Sequence, residues 1–350
     1  MATRHGLEGW SVDPTHYPTE GSVDEQLRCA VAWAVLAPSN HNSQPWLFDV
    51  HEDSVDVIAD RARALPVVDP NDRELTISVA AAAATLVIAL KRFGHEVVIE
   101  WWPDSHDRDV VARVRLGAAA EPSALDLRRF EAITQRCTNR GPYVDEPVPV
   151  GLLERLTLDA SAEGAHIEWV EGADRHGIAE LVAEGDLLQM HDRMFRRELA
   201  AWTTANRTYR RDGIRGYGVG VHDLASNFGP IAIRTFDLGR GQAARDAALA
   251  EGCPALAVIA TPGDEPSDWV AAGAALVSVL LRLTADGYAA SFLNQPIEVT
   301  PLREDVAEKF GADGVPQLLM RLGLPTRPAE HTPRLRLDDI FVVPGDGAAS

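Results

Sequence analysis

The stretch Ala37-Pro38-Ser39-Asn40-His41-Asn42-Ser43-Gln44-Pro45-Trp46 constrains this chain more than any other. It follows an apolar, helix-spaced run, Leu27 to Leu36, and precedes the alternating run Leu47-Phe48-Asp49-Val50. Pro38 lacks a backbone donor and stops a helix, and Pro45 fixes the exit, so the stretch reads as a loop between helix and strand. The amide, hydroxyl and imidazole groups from Ser39 to Ser43 donate and accept hydrogen bonds without carrying charge. That suits the flat, neutral edge of a ligand with mixed donors and acceptors. The same groups can equally satisfy the backbone of their own loop. The residues alone leave both readings open.

The elements around the loop follow from periodicity. Val23 to Leu36 reads as a helix with Leu27, Val31, Ala34 and Val35 on one face. Leu47–Val50 and Ser54–Ile58 read as strands joined at His51-Glu52-Asp53. Glu74 to Phe93 is an alanine-rich helix ended by Gly94, followed by strands at Val97–Ile99 and Val110–Leu116. The small residues from Ala118 to Ser123 mark the boundary between two halves. Beyond it come helices at Ala124–Gln135 and Leu152–Ala160, a strand at Ala165–Val170 and a charged helical region at Asp174–Ala205. Asn206 to Asn227 carries four glycines at irregular spacing. A strand at Ala255–Ala260, a helix at Trp269–Asp286 ended by Gly287, and apolar runs at Ala289–Val299, Leu318–Leu322 and Leu337–Val343 complete the chain. Ala80 to Ile99 resembles Gly273 to Phe292, each a small-residue helix, a glycine and an apolar strand, which is a weak internal repeat. The expected organisation is an arm at 1–22, a first half at 23–123, a second half at 124–344 with an insertion at about 172–228, and a disordered tail at 345–350.

Charge narrows the partners. Formal charge is −19, which repels nucleic acid and anionic membrane, so neither is an expected partner and any phosphate must be held by a local arginine cluster. The longest apolar run, Ile77 to Leu90, is too short and alanine-rich for a membrane span. Cys29, Cys137 and Cys253 are scattered and show no metal spacing, and the start carries no signal core, so a cytoplasmic protein with reduced thiols and no metal is expected.

Pro38-Ser39-x-x-Asn42-Ser43-Gln44-Pro45-Trp46 resembles the loop signature of the nitroreductase superfamily of FMN enzymes, where it touches the flavin ring and ribityl chain. His41 before Asn42, with Asp69-Pro70-x-x-Arg73-Glu74-Leu75 downstream, is similar to the Acg-like branch, whose single chains hold two nitroreductase-like halves. The resemblance spans about Val23 to Val343. It implies an α+β fold duplicated in one chain, a pseudo-dimer of two sheet-and-helix halves with an antiparallel-leaning sheet.

The resemblance also implies a cofactor site. Pro38, Ser39, Asn40, Asn42 and Gln44 would face FMN. Arg136-x-Thr138, with Arg140, resembles the Arg-x-Ser element that grips the FMN phosphate, and guanidinium forks match phosphate oxygens bidentately. Arg334-x-Arg336 falls where family members place further basic residues on that phosphate. A solvated tail is the alternative for Arg334. Asn294-Gln295-Pro296-Ile297 resembles the segment along the reactive edge of the flavin, and a polar turn at a strand end is its alternative. Ordinary members assemble their site from two subunits. Here the loop lies in the first half and Arg136-x-Thr138 in the second, so one composite FMN site per chain and a plausible monomer follow. Asn206 to Gly220 is read as a lid, with Tyr209 and Tyr217 against the flavin; His41 is a candidate donor to a bound anion, with a bond inside its own loop as the favoured alternative. The implied function is an FMN-dependent oxidoreductase that passes hydride through flavin N5 to a small acceptor, with NADH or NADPH as donor. The alternatives are a protein that stores or sequesters FMN under the lid, and a specialised dehydrogenase or flavin-modifying enzyme.

Overall fold

The computed structural model describes residues 5–219, 229–235, 237–309 and 314–342. Helix α1 (Val23–Ala34) opens the first half, its first turn closed by a capping box between Ser22 and Glu25. Strands β1 (Trp46–Val50) and β2 (Ser54–Ala59) follow, then α2 (Arg73–Arg92), β3 (His95–Trp101) and β4 (Val110–Ala119). They form an antiparallel sheet in the order β1-β2-β4-β3.

The second half repeats this plan. After α3 (Ala124–Ile133), α4 (Val150–Ala162) takes the place of α1. Strand β5 (His166–Trp169) leads into a long helical excursion of α5 (Gly172–His191), α6 (Arg193–Trp202), α7 (Gly229–Thr235) and α8 (Gly239–Glu251). Strand β6 (Ala255–Thr261), α9 (Pro266–Ala285), β7 (Ala289–Phe292), α10 (Gln295–Glu298), α11 (Thr300–Lys309) and β8 (Val315–Gly323) complete it. The sheet order is β5-β6-β8-β7, again first, second, fourth, third, with the long helix between the second and third strands. Two halves with one element order make a duplicated fold, and the weak repeat in the sequence corresponds to α2–β3 and α9–β7. Gly94 and Gly287 end the two helices at φ +89° and +85°, angles that side-chain-bearing residues resist.

Helices α2 and α9 pack against each other at the centre of the molecule. Ala80, Ala81, Ala82 and Ala83 of α2 and Ala272 and Ala275 of α9 are buried. Small side chains let the two backbones approach. At Gly273 a Cβ would stand 2.5 Å from the Ile77 carbonyl oxygen and 2.7 Å from Ala80 Cβ. Both helices are long and apolar enough to cross a membrane, but most of each is buried inside the fold. The first core lies between α1, α2 and the first sheet, and two further cores flank the second sheet.

Several segments differ from the sequence reading. The charged helical region breaks at Asp192, whose carboxylate accepts from the Met194 N–H and starts α6. The excursion is not placed where the second half lacks a flavin loop. That place is the short Glu163-Gly164-Ala165 connection between α4 and β5, whereas the excursion joins β5 to β6, where the first half has a tight hairpin. The arm is tied to the end of the chain, where Trp10 Nε1 donates to the Thr332 carbonyl at 2.8 Å and the Gly6 carbonyl accepts from the Arg334 N–H at 2.9 Å. The segment after β8 returns to the first half, where Ile340 and Val342 bond the Phe48 backbone beside β1. The 345–350 tail lies outside the described residues.

Candidate functional site

The Pro38–Pro45 loop stores unusual backbone geometry. His41, Asn42 and Gln44 have φ of +51°, +53° and +53°. Non-glycine residues adopt such angles at an energetic cost, and runs of them gather where a loop is held for function. Ser39 Oγ accepts from the Gln44 N–H at 3.0 Å, and Asn40 Nδ2 donates to Glu74 Oε2. Glu74 in turn pairs with Arg73 at 2.8 Å, and Arg73 donates to the Gln317 carbonyl of β8 at 2.6 Å. The Arg73-Glu74 motif therefore ties the loop to the opposite half.

A cavity of about 420 Å³ opens beside this loop, between the halves. Ligand pockets are commonly this large. One end is cationic. Arg136 and Arg334 both donate to the Leu36 carbonyl, at 3.4 and 3.2 Å, just past the C-terminus of α1. Carbonyls at a helix end attract positive charge. Arg334 also bonds Asn42 Oδ1 at 2.9 Å and lies over the Trp10 ring at 4.5 Å, yet its Nε has no partner. It is 2% exposed and Arg136 is 7% exposed. Neither they nor Arg140 forms an ion pair among the described residues. Burial and then Arg136 pull Arg334 down to about 9. Burial and then the same two arginines hold His331, stacked on Trp10, neutral with a pKa of about 4. Two buried guanidinium groups, with the half-buried Arg140 beside the same cavity, form a site for an anion in a strongly acidic chain.

The lining also carries acidic groups. Glu74, Asp186, Asp246 and Glu298 line the cavity with Gln189 and Gln295. Burial raises Asp186 and Glu298 to about 7 and lifts Glu74 well above its ordinary range. A carboxyl raised on folding holds a proton that the unfolded chain releases above about pH 4. Its stability contribution is fully present below that pH and is lost as pH rises through about 7. His41 and His331 work in the opposite sense. Their folded values lie near 4, so stability is lost as pH falls from about 6.5. Asp186→Asn is expected to raise the thermal midpoint of the flavin-free chain more at pH 8 than at pH 5. An equal shift at both values would mean that Asp186 is ionised throughout.

Pro38, Ser39, Asn40, His41, Asn42, Arg136, Thr138, Asn294, Gln295 and Arg334 all line this cavity. Arg334 is thus no solvated tail residue. Arg336 is one, for it pairs with Asp339 in solvent and stands apart from the cavity. Gln44 is fully buried and joins the loop to neighbours, accepting from the Leu335 N–H and donating to the Arg211 carbonyl, both at 2.8 Å. Pro296 and Ile297 are buried in α10, behind Gln295. His41 Nδ1 contacts Asn40 Oδ1 at 2.6 Å within its own loop. Tyr209 is 82% exposed against His5 and lies away from the cavity. Tyr217 points its hydroxyl at the His331 carbonyl at 2.9 Å, and Gly213 bonds Asn42. Residues 206–219 are therefore laced to the loop, contributing Ile214 and Arg215 to the wall. Gly220, the end of the lid segment, lies outside the described residues.

No family model matches the chain. A Mycobacterium tuberculosis protein named "Putative NAD(P)H nitroreductase Rv3131" is 30% identical over 334 residues, covering 94% of each chain. The chain belongs to the nitroreductase superfamily. "Putative NAD(P)H nitroreductase acg" of the same organism is 26% identical over 323 residues, 91% of this chain and 95% of that one. Among solved structures, the FMN-dependent nitroreductase NfnB of Mycobacterium smegmatis, in complex with NADPH, is 17% identical with a TM-score of 0.40, covering 61% of this chain and 97% of that one.

Within this nitroreductase frame, some site residues escape sequence reasoning. Trp10 sits in a polar segment without periodicity, and nothing there marks it as a cavity wall. Asp186 and Asp246 stand on helices charged around much of their surface, where a carboxylate ordinarily faces water.

Proposed function

We propose that the cavity holds one FMN per chain and that the protein is an FMN-dependent oxidoreductase. The observation that carries this is the pair Arg136 and Arg334 sharing the Leu36 carbonyl at one end of the cavity, with no ion pair to either among the described residues. The residues suit the group. Arg136, Arg140 and Arg334 with the Thr138 hydroxyl would hold the phosphate. Ser39, Asn40 and Asn42 would meet the ribityl chain and the polar ring edge. Asn294 and Gln295 would run along the far edge. Bound FMN supplies hydride transfer at its N5 atom, between a nicotinamide donor and a small acceptor. The loop residues orient the ring without charge, and Met190, Phe195 and Leu199 from the helical excursion shield the cavity from water.

The excursion also favours a second reading, in which FMN is stored and not turned over, because α5, α6 and α8 cover that side of the site. Denaturing the flavin-loaded chain should release close to one FMN per chain. A value near two, or none after saturation with FMN, sinks the composite site. Oxidation of NADH or NADPH with a quinone or nitroaromatic acceptor then separates turnover from storage.

A further inference from the structure

We propose that Asp186 and Asp246 share one proton and that Asp186 delivers it to the acceptor as the acceptor takes up hydride. The delivery step rests on the flavin reading above. Asp186 stands on α5 and Asp246 on α8, and one side-chain nitrogen reaches both carboxyl groups. Gln295 bridges them from the start of α10. Its Nε2 donates to Asp186 Oδ1 at 3.2 Å and to Asp246 Oδ2 at 2.9 Å, and Gln242 Nε2 donates to that same Asp246 oxygen at 2.7 Å. Asp186 is 4% exposed and Asp246 7% exposed, and neither has an ion-pair partner among the described residues.

Two buried carboxylates bridged by one amide nitrogen cannot both ionise without a large penalty, so the pair retains one proton. The Gln295 amide satisfies one oxygen of each. Asp186 Oδ2 and Gln295 Oε1 are left buried and without a partner, and both residues line the cavity. Asp186 Oδ2, bound to no other group, is the oxygen on which the shared proton rests beside the cavity. The charged groups around the pair are Glu298 on α10, Arg245 on α8 and Arg140, whose charge reaches Asp246. Burial first, and the neighbouring Asp246 second, hold Asp186 up to about 7, which suits donation near neutral pH.

The acceptor class is a small molecule with an electron-poor double bond to oxygen, such as a quinone. Hydride brings it one hydrogen nucleus and two electrons, and the reduced flavin is oxidised. Negative charge gathers on the acceptor oxygen. The Asp186 O–H bond breaks as a new O–H bond forms on that oxygen, and the bonding electrons stay on the carboxylate. The pair then regains its proton from water, and the hydroquinone leaves.

The test uses two acceptors and one readout that needs no flavin. Hexacyanoferrate(III) takes electrons without a proton, whereas a benzoquinone needs both. In the FMN-loaded chain, Asp186→Asn should slow reoxidation by the quinone about a hundredfold, the usual scale for a general acid, and leave reoxidation by hexacyanoferrate(III) unchanged. Equal loss with both acceptors, or loss with neither, overturns delivery by Asp186. Asp246→Asn is measured in parallel, in case the first variant does not fold. With the like charge gone, Asp186 ionises at neutral pH and the quinone rate alone should fall. The infrared difference spectrum of the flavin-free chain, wild type minus each variant, should show a protonated carboxyl band at pH 7. Its absence overturns the shared proton. A chain that retains no FMN overturns the flavin reading and the delivery step with it, while the infrared band still decides whether the proton is shared.

Discussion

Replacing Arg136 with methionine is expected to weaken FMN binding by roughly 1.5–3 kcal/mol, the range for charged hydrogen bonds, which is about tenfold to hundredfold in dissociation constant. Riboflavin, which lacks the phosphate, should lose much less. The flavin-free chain should respond in the opposite direction. Arg136 is buried beside Arg334, and its hydrogen bond to Leu36 is long at 3.4 Å, so the empty site holds two like charges in an apolar setting. A buried charge without a partner destabilises a fold by several kcal/mol, and removing it relieves part of that. Methionine keeps most of the side-chain volume, so no cavity is created. The flavin-free variant should therefore melt no lower than wild type while binding FMN more weakly. Titration calorimetry with both flavins and thermal denaturation without either check this. A variant that melts lower and loses FMN and riboflavin alike would show that Arg136 supports the fold and not the phosphate.

The second large effect is expected at the seam between the halves. Gly273→Ala places a methyl group 2.5 Å from the Ile77 carbonyl oxygen. That oxygen belongs to the backbone of α2 and cannot swing aside as a long side chain would. Alanine is the better helix former by about 1 kcal/mol, which opposes the loss. Overpacking a core costs about 1–3 kcal/mol and occasionally more. Forced separation of two backbones belongs at the upper end, so a net destabilisation of about 2 kcal/mol is expected. Gly241→Ala is the control. It lies in α8 with open space around its Cβ, and it should be neutral or mildly stabilising. Chemical denaturation of both variants compares them directly. If Gly273→Ala proves as mild as Gly241→Ala, the helices do not touch as closely as described.

How far the sequence reveals this molecule depends on which physical cause dominates. The Pro38–Trp46 loop is legible because so many uncharged hydrogen-bonding groups stand between a helix and a strand. Its left-handed angles at His41, Asn42 and Gln44 are not, because such angles are imposed by tertiary bonds such as Gln44 to Leu335. Most strands and the helices α1, α2 and α9 are legible from periodicity, to within a few residues, whereas α8 and α11 are not. Arg334 looks like a tail residue because charged residues near a chain end usually meet water. Its burial depends on Trp10, over 300 positions away, covering its guanidinium. Tyr209 carries the mirror-image error. An aromatic ring in a glycine-rich segment suggests a cover for a ligand, but the neighbouring backbone is held by Asn42 and Gln44 in a way that leaves that ring outside.

The meeting of α2 with α9 inside one chain has an evolutionary consequence. When two identical chains build a site between them, every substitution appears twice and both sites change together. Dilution can also pull them apart. A covalent connection makes the encounter of the halves unimolecular, so it no longer depends on how much protein is present. Each copy is also free to change alone. In the composite site proposed above, one copy supplies the Ser-Asn loop and the other supplies Arg136 and Thr138. A duplicated chain of this kind can alter one half without altering the other.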